Sequence, residues 1–355
     1  MARIDIEDVA HRYTADAAWA VDALTHSFRD GSASAILGPS GCGKTTLLSI
    51  LSGLLHPTRG TLRIDGREAT GLPPRQRKIA QVFQFPVVYE AMTVFENLAF
   101  PLRNGGMAKD EVKTRVKATA ELLGLTASLD RRASGLSADE QQIVSLGRGL
   151  IRPDTAALLL DEPLTVIDPL RRWEIRQKLR HVHQETNATL VYVTHDQTEA
   201  LTFADEVVVM DQGRVMQVGT PRELFETPKH AFVGHFIGSP GMNFLPCRLA
   251  GRELLVDGHR LPVDRNAFTD PGSGELELGI RPEFLELARE EVDGALPVRI
   301  RSASALGDHH LVRVALGERP LQVRVPDGTP IPTECGFLRF PPEWIRLYRD
   351  GRLLT

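Results

Sequence analysis

A chain of 355 residues that is 42% hydrophobic and 25% charged is long enough for two or three domains with cores of their own, and it needs no covalent staples. Lys plus Arg number 42 against 46 for Asp plus Glu with no basic run, so the electrostatic footprint of a nucleic-acid binder is missing. Three cysteines, Cys42, Cys247 and Cys335, supply neither a disulfide frame nor a metal cluster and fit a reducing compartment. The polar, acidic start MARIDIEDVA lacks the regions of a signal peptide, and no apolar run approaches the ~20 residues that span a bilayer. The expectation is a cytoplasmic protein whose membrane contacts, if any, run through partners.

Residues 1 to about 236 alternate strand-like and helix-like segments, the pattern of an α/β domain with a largely parallel sheet. SASAILG leads into the helix-like KTTLLSILSGL, and TLRIDG and KIAQVFQ follow as strands. From about residue 86 to 152 the strand signal gives way to helices, KDEVKTRVKATAELLG and the segment from Ser137 to Ile151, so a helical subdomain is expected there as an insertion in the sheet. AALLLDE, TLVYVTH and EVVVMDQG resume the strands around the helix PLRRWEIRQKLRHVHQE. TPRELFETP reads as a short helix with Thr220 as cap, Pro221 at its first position and Glu223 closing the box. After GSPGMNF Pro and Gly rise and short alternating runs take over, so residues 237–355 are expected to form a separate β-rich domain, a small barrel.

GPSGCGKTT (Gly38, Pro39, Ser40, Gly41, Cys42, Gly43, Lys44, Thr45, Thr46) follows a strand and opens a helix, the context a G-x-x-x-x-G-K-T phosphate loop requires. Its backbone N–H groups and the helix start make a nest for phosphates, Lys44 reaches the terminal ones, and Thr45 offers a hydroxyl to Mg²⁺. The glycine order is not that of a dinucleotide fingerprint. LLLDEP puts Asp161 and Glu162 at the end of a buried-type strand, where one carboxylate can hold Mg²⁺ and the next can activate water. TLVYVTHD places His195 at another strand end, within reach of a γ-phosphate.

GLSADEQQ, residues 135–142, reads differently. Ser137 and Glu140 stand in capping-box spacing with Asp139 between them, so this helix start supplies its own negative partners and leaves no place for a phosphate.

Together these residues resemble the nucleotide-binding subunit of an ABC transporter, over the whole chain. GPSGCGKTT resembles the family's Walker A loop, AALLLDEP its Walker B strand, TVIDP its D-loop, VTHD its switch histidine and QVFQFP its Q-loop. The resemblance implies a RecA-like P-loop core with an inserted helical subdomain, then an OB-like regulatory domain. It implies ATP and Mg²⁺ as cofactors, with Lys44, Thr45 and Asp161 on phosphates and metal. Glu162 would be the general base, His195 the γ-phosphate sensor, Gln84 a metal and water contact, and Asp168 a residue acting across a dimer interface. Tyr13 is chosen as the ring that stacks on adenine, with Trp19 as runner-up.

GSPGMNFLP and LGIRPEFLEL are similar to the linker and regulatory domain of the sugar and polyol importer branch, and QVFQFPVVYEAMTVFENLAFPLRN with DEPLTVIDP resembles the ATPases of proteobacterial glycerol importers. The implied partners are two transmembrane permease subunits and, indirectly, a periplasmic substrate-binding protein, with the chain peripheral on the cytoplasmic face of the bacterial inner membrane.

Where the family reads LSGGQQQ, this chain keeps Ser137 but has Ala138, Asp139 and Glu140 in place of two glycines and a glutamine. A carboxylate ~4 Å from a phosphate charge is opposed by ~1 kcal/mol in water and ~4 at an effective dielectric of 20. A heterodimer with a second, non-identical ATPase subunit is therefore expected, pairing this chain's intact Walker side with a competent signature. A homodimer that tolerates the change is the alternative, serving glycerol 3-phosphate or another polyol or sugar. A soluble ABC switch protein, another class, would carry a second cassette or a long coiled-coil insertion, and neither is seen; a P-loop kinase would leave the switch histidine and the D-loop without a role.

Overall fold

The computed structural model describes residues 2–250, 253–262 and 274–354. Two compact units divide between Pro221 and Arg222.

The first unit contains a six-stranded sheet of β3 (Ala33–Leu37), β6 (Ile79–Val82), β7 (Ala157–Asp161), β8 (Thr189–Thr194), β9 (Glu206–Asp211) and β10 (Arg214–Gly219), in the order β10-β9-β3-β8-β7-β6. All neighbours run parallel except β10 on β9. β3, β7 and β8 are buried along their whole length, as strands covered on both faces must be, which is why their sequences are mostly apolar instead of alternating. TLRIDG departs from expectation. It forms β4 (Arg59–Ile64) of a separate antiparallel sheet, β2-β1-β4-β5, with β1 (Ile4–His11), β2 (Val21–Phe28) and β5 (Arg67–Glu68). Only Leu62 of β4 is fully buried, the half-wet signature of such a sheet. Ile4, Ile6, Phe28 and Leu62 from this sheet share one core with Ile36, Val191 and Met210 of the other and with Leu47, Leu48 and Leu51 of α1 (Lys44–Ser52).

A one-turn α2 (Pro74–Arg77) precedes β6. Between β6 and β7 the chain runs through α3 (Val94–Asn104), α4 (Lys109–Leu123) and α5 (Ala138–Leu150), with no strand among the described residues. Capping boxes start two of these helices, Thr93 with Glu96 on α3 and Ser137 with Glu140 on α5, and Gly124 in the left-handed region ends α4. After β7 come α6 (Pro169–Thr186), N-capped by Asp168, and α7 (Gln197–Phe203), N-capped by Asp196. No helix of the described residues is long and apolar enough to cross a membrane.

The second unit holds most of α8 (Pro221–Glu226), then α9 (Ala231–Phe236) and antiparallel strands from β11 (Asn243–Pro246) to β22 (Arg352–Leu353). Among the described residues its strands pair in three antiparallel sheets, of four, three and five strands. They enclose one core, in which Leu245, Leu254, Leu278, Val312, Val323, Leu338 and Leu347 meet. The division falls earlier than the composition change at 236/237. Arg281, which is fully buried, donates to the carbonyls of Leu224, Phe225 and Ile237 and stacks its guanidinium over the Phe225 ring, tying α8 and α9 to the strands that follow.

Candidate functional site

The turn between β3 and α1 is shaped by two glycines. Gly43 sits at φ +104°, and a Cβ there would lie 2.0 Å from the Ala20 carbonyl oxygen. A Cβ on Gly38 would meet the Met210 carbonyl oxygen at 2.3 Å. Gly43 offers no side-chain cap to α1, so the first N–H groups of this helix lack the acceptors that other helix starts find in Ser or Asp side chains. Lys44 is buried, and two of its three ammonium protons are directed to the Gly38 and Pro39 carbonyls, at 2.7 and 2.9 Å, which draws the charge across the loop. Ser40 and Gly41 form the exposed tip. Cys42 is buried 3.9 Å from the Lys44 ammonium, and burial pushes its thiol pKa up, as suits a small filler residue.

Thr45 and Asp161 come together, the hydroxyl donating to a carboxylate oxygen at 3.3 Å. Burial raises the Asp161 pKa, the Thr45 bond opposes that rise, and Glu162 adds to it. A buried carboxylate beside a hydroxyl suits a divalent cation shared with phosphate oxygens and water, the way Mg²⁺ is usually held. Among the described residues no group of three or more His, Cys, Asp and Glu could form an all-protein cage.

Glu162 turns off the end of β7 at φ +44° while its N–H still reaches the Val193 carbonyl of β8, at 2.9 Å. This left-handed backbone costs a β-carbon residue about 1 kcal/mol. Three side chains converge on its Oε2: His195 Nδ1 at 3.0 Å, Gln84 Nε2 at 3.4 Å and the Thr165 hydroxyl at 3.4 Å. Gln84 thus meets Glu162, and its side-chain bond goes there instead of to Thr45 or Asp161. The sequence pattern gives Thr165 no signal of its own, although it lies in TVIDP. Nor does it mark Gln142, which is fully buried on α5 behind this cluster.

Tyr13 is exposed, its hydroxyl 3.0 Å from the Thr46 hydroxyl and its ring edge-on to His11. Trp19 is half-buried under the guanidinium groups of Arg12 and Arg59. Of the two, Tyr13 keeps the open ring beside α1.

At the start of α5 the predicted capping box forms: the Ser137 hydroxyl accepts from Glu140 N–H at 3.4 Å and Glu140 returns a bond to Ser137 N–H at 3.0 Å. Asp139, between them, is not an isolated charge. Its carboxylate accepts the Ser137 hydroxyl proton and pairs with Arg171 in the first turn of α6. The Ser137 hydroxyl and the Arg171 guanidinium together hold the Asp139 pKa below the ordinary value. The charge is met within the chain, and the Ser137 proton is already committed. Asp168 lies three residues before Arg171 and accepts from Leu170 N–H at 2.9 Å.

Comparison with known proteins matches residues 21–165 to the ABC transporter family, 238–285 to the MalK OB fold domain and 278–347 to the TOBE domain. The chain is 42% identical to the sn-glycerol-3-phosphate import ATP-binding protein UgpC of Paracoccus denitrificans (strain Pd 1222), over 86% of this chain and 85% of that one. It is 37% identical to the sulfoquinovosyl glycerol transport ATP-binding protein SmoE of Agrobacterium fabrum, over 92% of each. Among solved structures, cbiO1 from Clostridium perfringens, part of the ABC transporter complex cbiONQ, superposes with a TM-score of 0.58 at 28% identity, covering 63% of this chain and 90% of that one. The dimeric MJ0796, a bacterial ABC transporter cassette, gives 0.57 at 27% identity over 62% of this chain and 99% of that one. With intact phosphate-loop geometry, the first unit's cassette and the second unit's OB and TOBE matches, the chain belongs to the ABC transporter family and is an ATP-hydrolysing subunit of an importer.

Proposed function

We propose that Glu162 is the general base of ATP hydrolysis, and the observation that carries this reading is the convergence of His195, Gln84 and Thr165 on its Oε2. Those three contacts orient the carboxylate and leave Oε1 to take a proton from water, an effect worth roughly 10²–10⁴ in rate. Lys44 and the loop N–H groups hold the phosphates, and Tyr13 covers the adenine. Thr45 and Asp161 would hold Mg²⁺, which when bound neutralises charge on the phosphate oxygens. Glu162→Gln keeps the shape and removes the base. In the assembled transporter it should bind ATP and lose turnover, and steady hydrolysis by that variant would refute the assignment.

The same reading places the chain on the cytoplasmic face of the inner membrane, bound to two permease subunits served by a periplasmic binding protein. A cleft of about 610 Å³ supports this, because Val87, Phe100, Pro101 and Phe83, the residue before Gln84, line it beside Arg148 and Arg152. Phe85 and Tyr89 are exposed on the same connection, with Arg148 stacked over the Tyr89 ring. The solute is read as one built on a glycerol unit, which the expected glycerol shares with the glycerol 3-phosphate and sulfoquinovosyl glycerol named for the relatives. Uptake of labelled glycerol and glycerol 3-phosphate in cells with and without this chain separates them.

A second, non-identical ATPase as partner is favoured by the start of α5, where the Ser137 proton, the Glu140 N–H and the Asp139 charge all have partners within the chain. Such an end has little left for a phosphate bound to a facing subunit. The mass of the intact membrane complex decides: one copy beside another ATPase supports the asymmetric pair, and two copies overturn it.

A further inference from the structure

We propose that Gln142 is a positioning residue for hydrolysis, holding Gln84 and Glu162 at their working separation; this rests on the reading of Glu162 as the base. Gln142 is completely buried, and its single amide nitrogen donates to two backbone carbonyls, Phe83 and Pro163, at 3.0 Å each. Phe83 is the residue before Gln84, and Pro163 is the residue after Glu162.

These two carbonyls lie on connections leaving adjacent parallel strands. β6 and β7 are in register as far as Val82 and Leu160, and past that point no ladder holds the two chains together. The Gln142 amide replaces the missing rung. It closes a short loop of contacts in which Gln84 reaches Glu162 at 3.4 Å. The tie matters because Glu162 sits in a left-handed backbone conformation that its surroundings must enforce.

The orientation of the amide is set by its neighbours, since the oxygen turned the other way would face two carbonyls. Its Oε1 is buried with no hydrogen-bond partner, so the site tolerates an unmet acceptor in order to keep both donors. Gln142 belongs to the same helix whose start carries Ser137 and Asp139. Any shift of α5 therefore reaches the spacing of Gln84 and Glu162 directly.

The test compares Gln142→Glu, Gln142→Met and Glu162→Gln in the assembled transporter. Misplacing a reacting group by about 1 Å can cost 10²-fold, so kcat should fall roughly 10- to 100-fold in both Gln142 variants while the ATP KM moves by about twofold or less. Burial will raise the pKa of a glutamic acid at this position, and its neutral form carries one O–H donor. The Gln142→Glu enzyme should accordingly recover as pH is lowered, with a falling limb toward high pH that neither the Met variant nor the native protein shows. Unchanged kcat in both variants, or loss of ATP binding in step with kcat, overturns the proposal. Hydrolysis surviving in Glu162→Gln defeats the underlying reading instead, whereas its loss there with normal Gln142 variants defeats the role of Gln142 alone.

Discussion

Removing either side chain of the Asp139–Arg171 pair should loosen the start of α5 by a measurable and salt-dependent amount. The Arg171 side chain is 47% exposed and that of Asp139 21%, so the pair lies between a solvated surface bridge and a buried one. Exposed pairs contribute ~0.2–1 kcal/mol, and the partial shielding here puts the coupling near the top of that range, about 1 kcal/mol. Asp139 also takes the Ser137 hydroxyl, so single replacements mix two effects. A double-mutant cycle of Asp139→Ala, Arg171→Ala and the combined variant isolates the ion pair. The reporter is hydrogen exchange at the amides of Glu140, Gln141 and Gln142, where about 1 kcal/mol appears as roughly fivefold faster exchange. The coupling should shrink from 0.1 M to 1 M salt, as the screening length falls from about 10 to about 3 Å. The pH dependence has a definite sign. A carboxyl held below its ordinary 3.8 contributes stability that is complete above that value and is lost as pH falls through the lowered one. Additive single effects at low salt would show that the two groups are merely adjacent.

Other predictions concern the nucleotide site and the second unit. Tyr13→Ala should weaken ATP binding by roughly 1–3 kcal/mol, the range of base–aromatic stacking, while Trp19→Ala leaves it close to native; equal losses in a nucleotide titration would contradict the choice. Asp161→Asn should raise the melting temperature of the nucleotide-free protein and abolish Mg²⁺-dependent hydrolysis. Its raised pKa means that ionisation opposes folding, so the native protein should lose stability relative to this variant as pH rises past the carboxylate range. Arg281→Met leaves the carbonyls of Leu224, Phe225 and Ile237 without their donor. Each orphan costs about 1–3 kcal/mol, partly offset by no longer burying a guanidinium, so a net loss of about 3 kcal/mol is expected. Calorimetry of the full chain should show the transition of the second unit shifted down by roughly 10 °C.

What could be read in the sequence was what is written locally. The phosphate loop, the acid pair at the end of β7 and the Ser137–Glu140 box each complete their meaning within a few residues. Which sheet TLRIDG joins is not legible, because alternation announces a strand without naming its neighbour. Thr165, Gln142 and Arg171 are illegible in the sequence for a related reason. Their roles lie in contacts with Glu162, with Phe83 and Pro163, and with Asp139, and a polar residue on a helix or loop gives no hint of a partner across the fold. Arg171 matters most, since it makes Asp139 half of an ion pair within the chain. The early division of the units has the same origin, because Arg281 binds carbonyls more than forty residues upstream.

The phosphate loop does not hold its own shape. It is wedged between the Ala20 carbonyl on one side and the Met210 carbonyl on the other, and Gly213 N–H closes on the Cys42 carbonyl at 3.0 Å. None of those outer residues belongs to the set expected to meet a nucleotide. A scan for loss of ATP binding should therefore light up a ring of silent neighbours around the motif, in the connection before β2 and at the hairpin between β9 and β10. Variants there would look like active-site lesions in an assay while leaving every residue of the motif untouched.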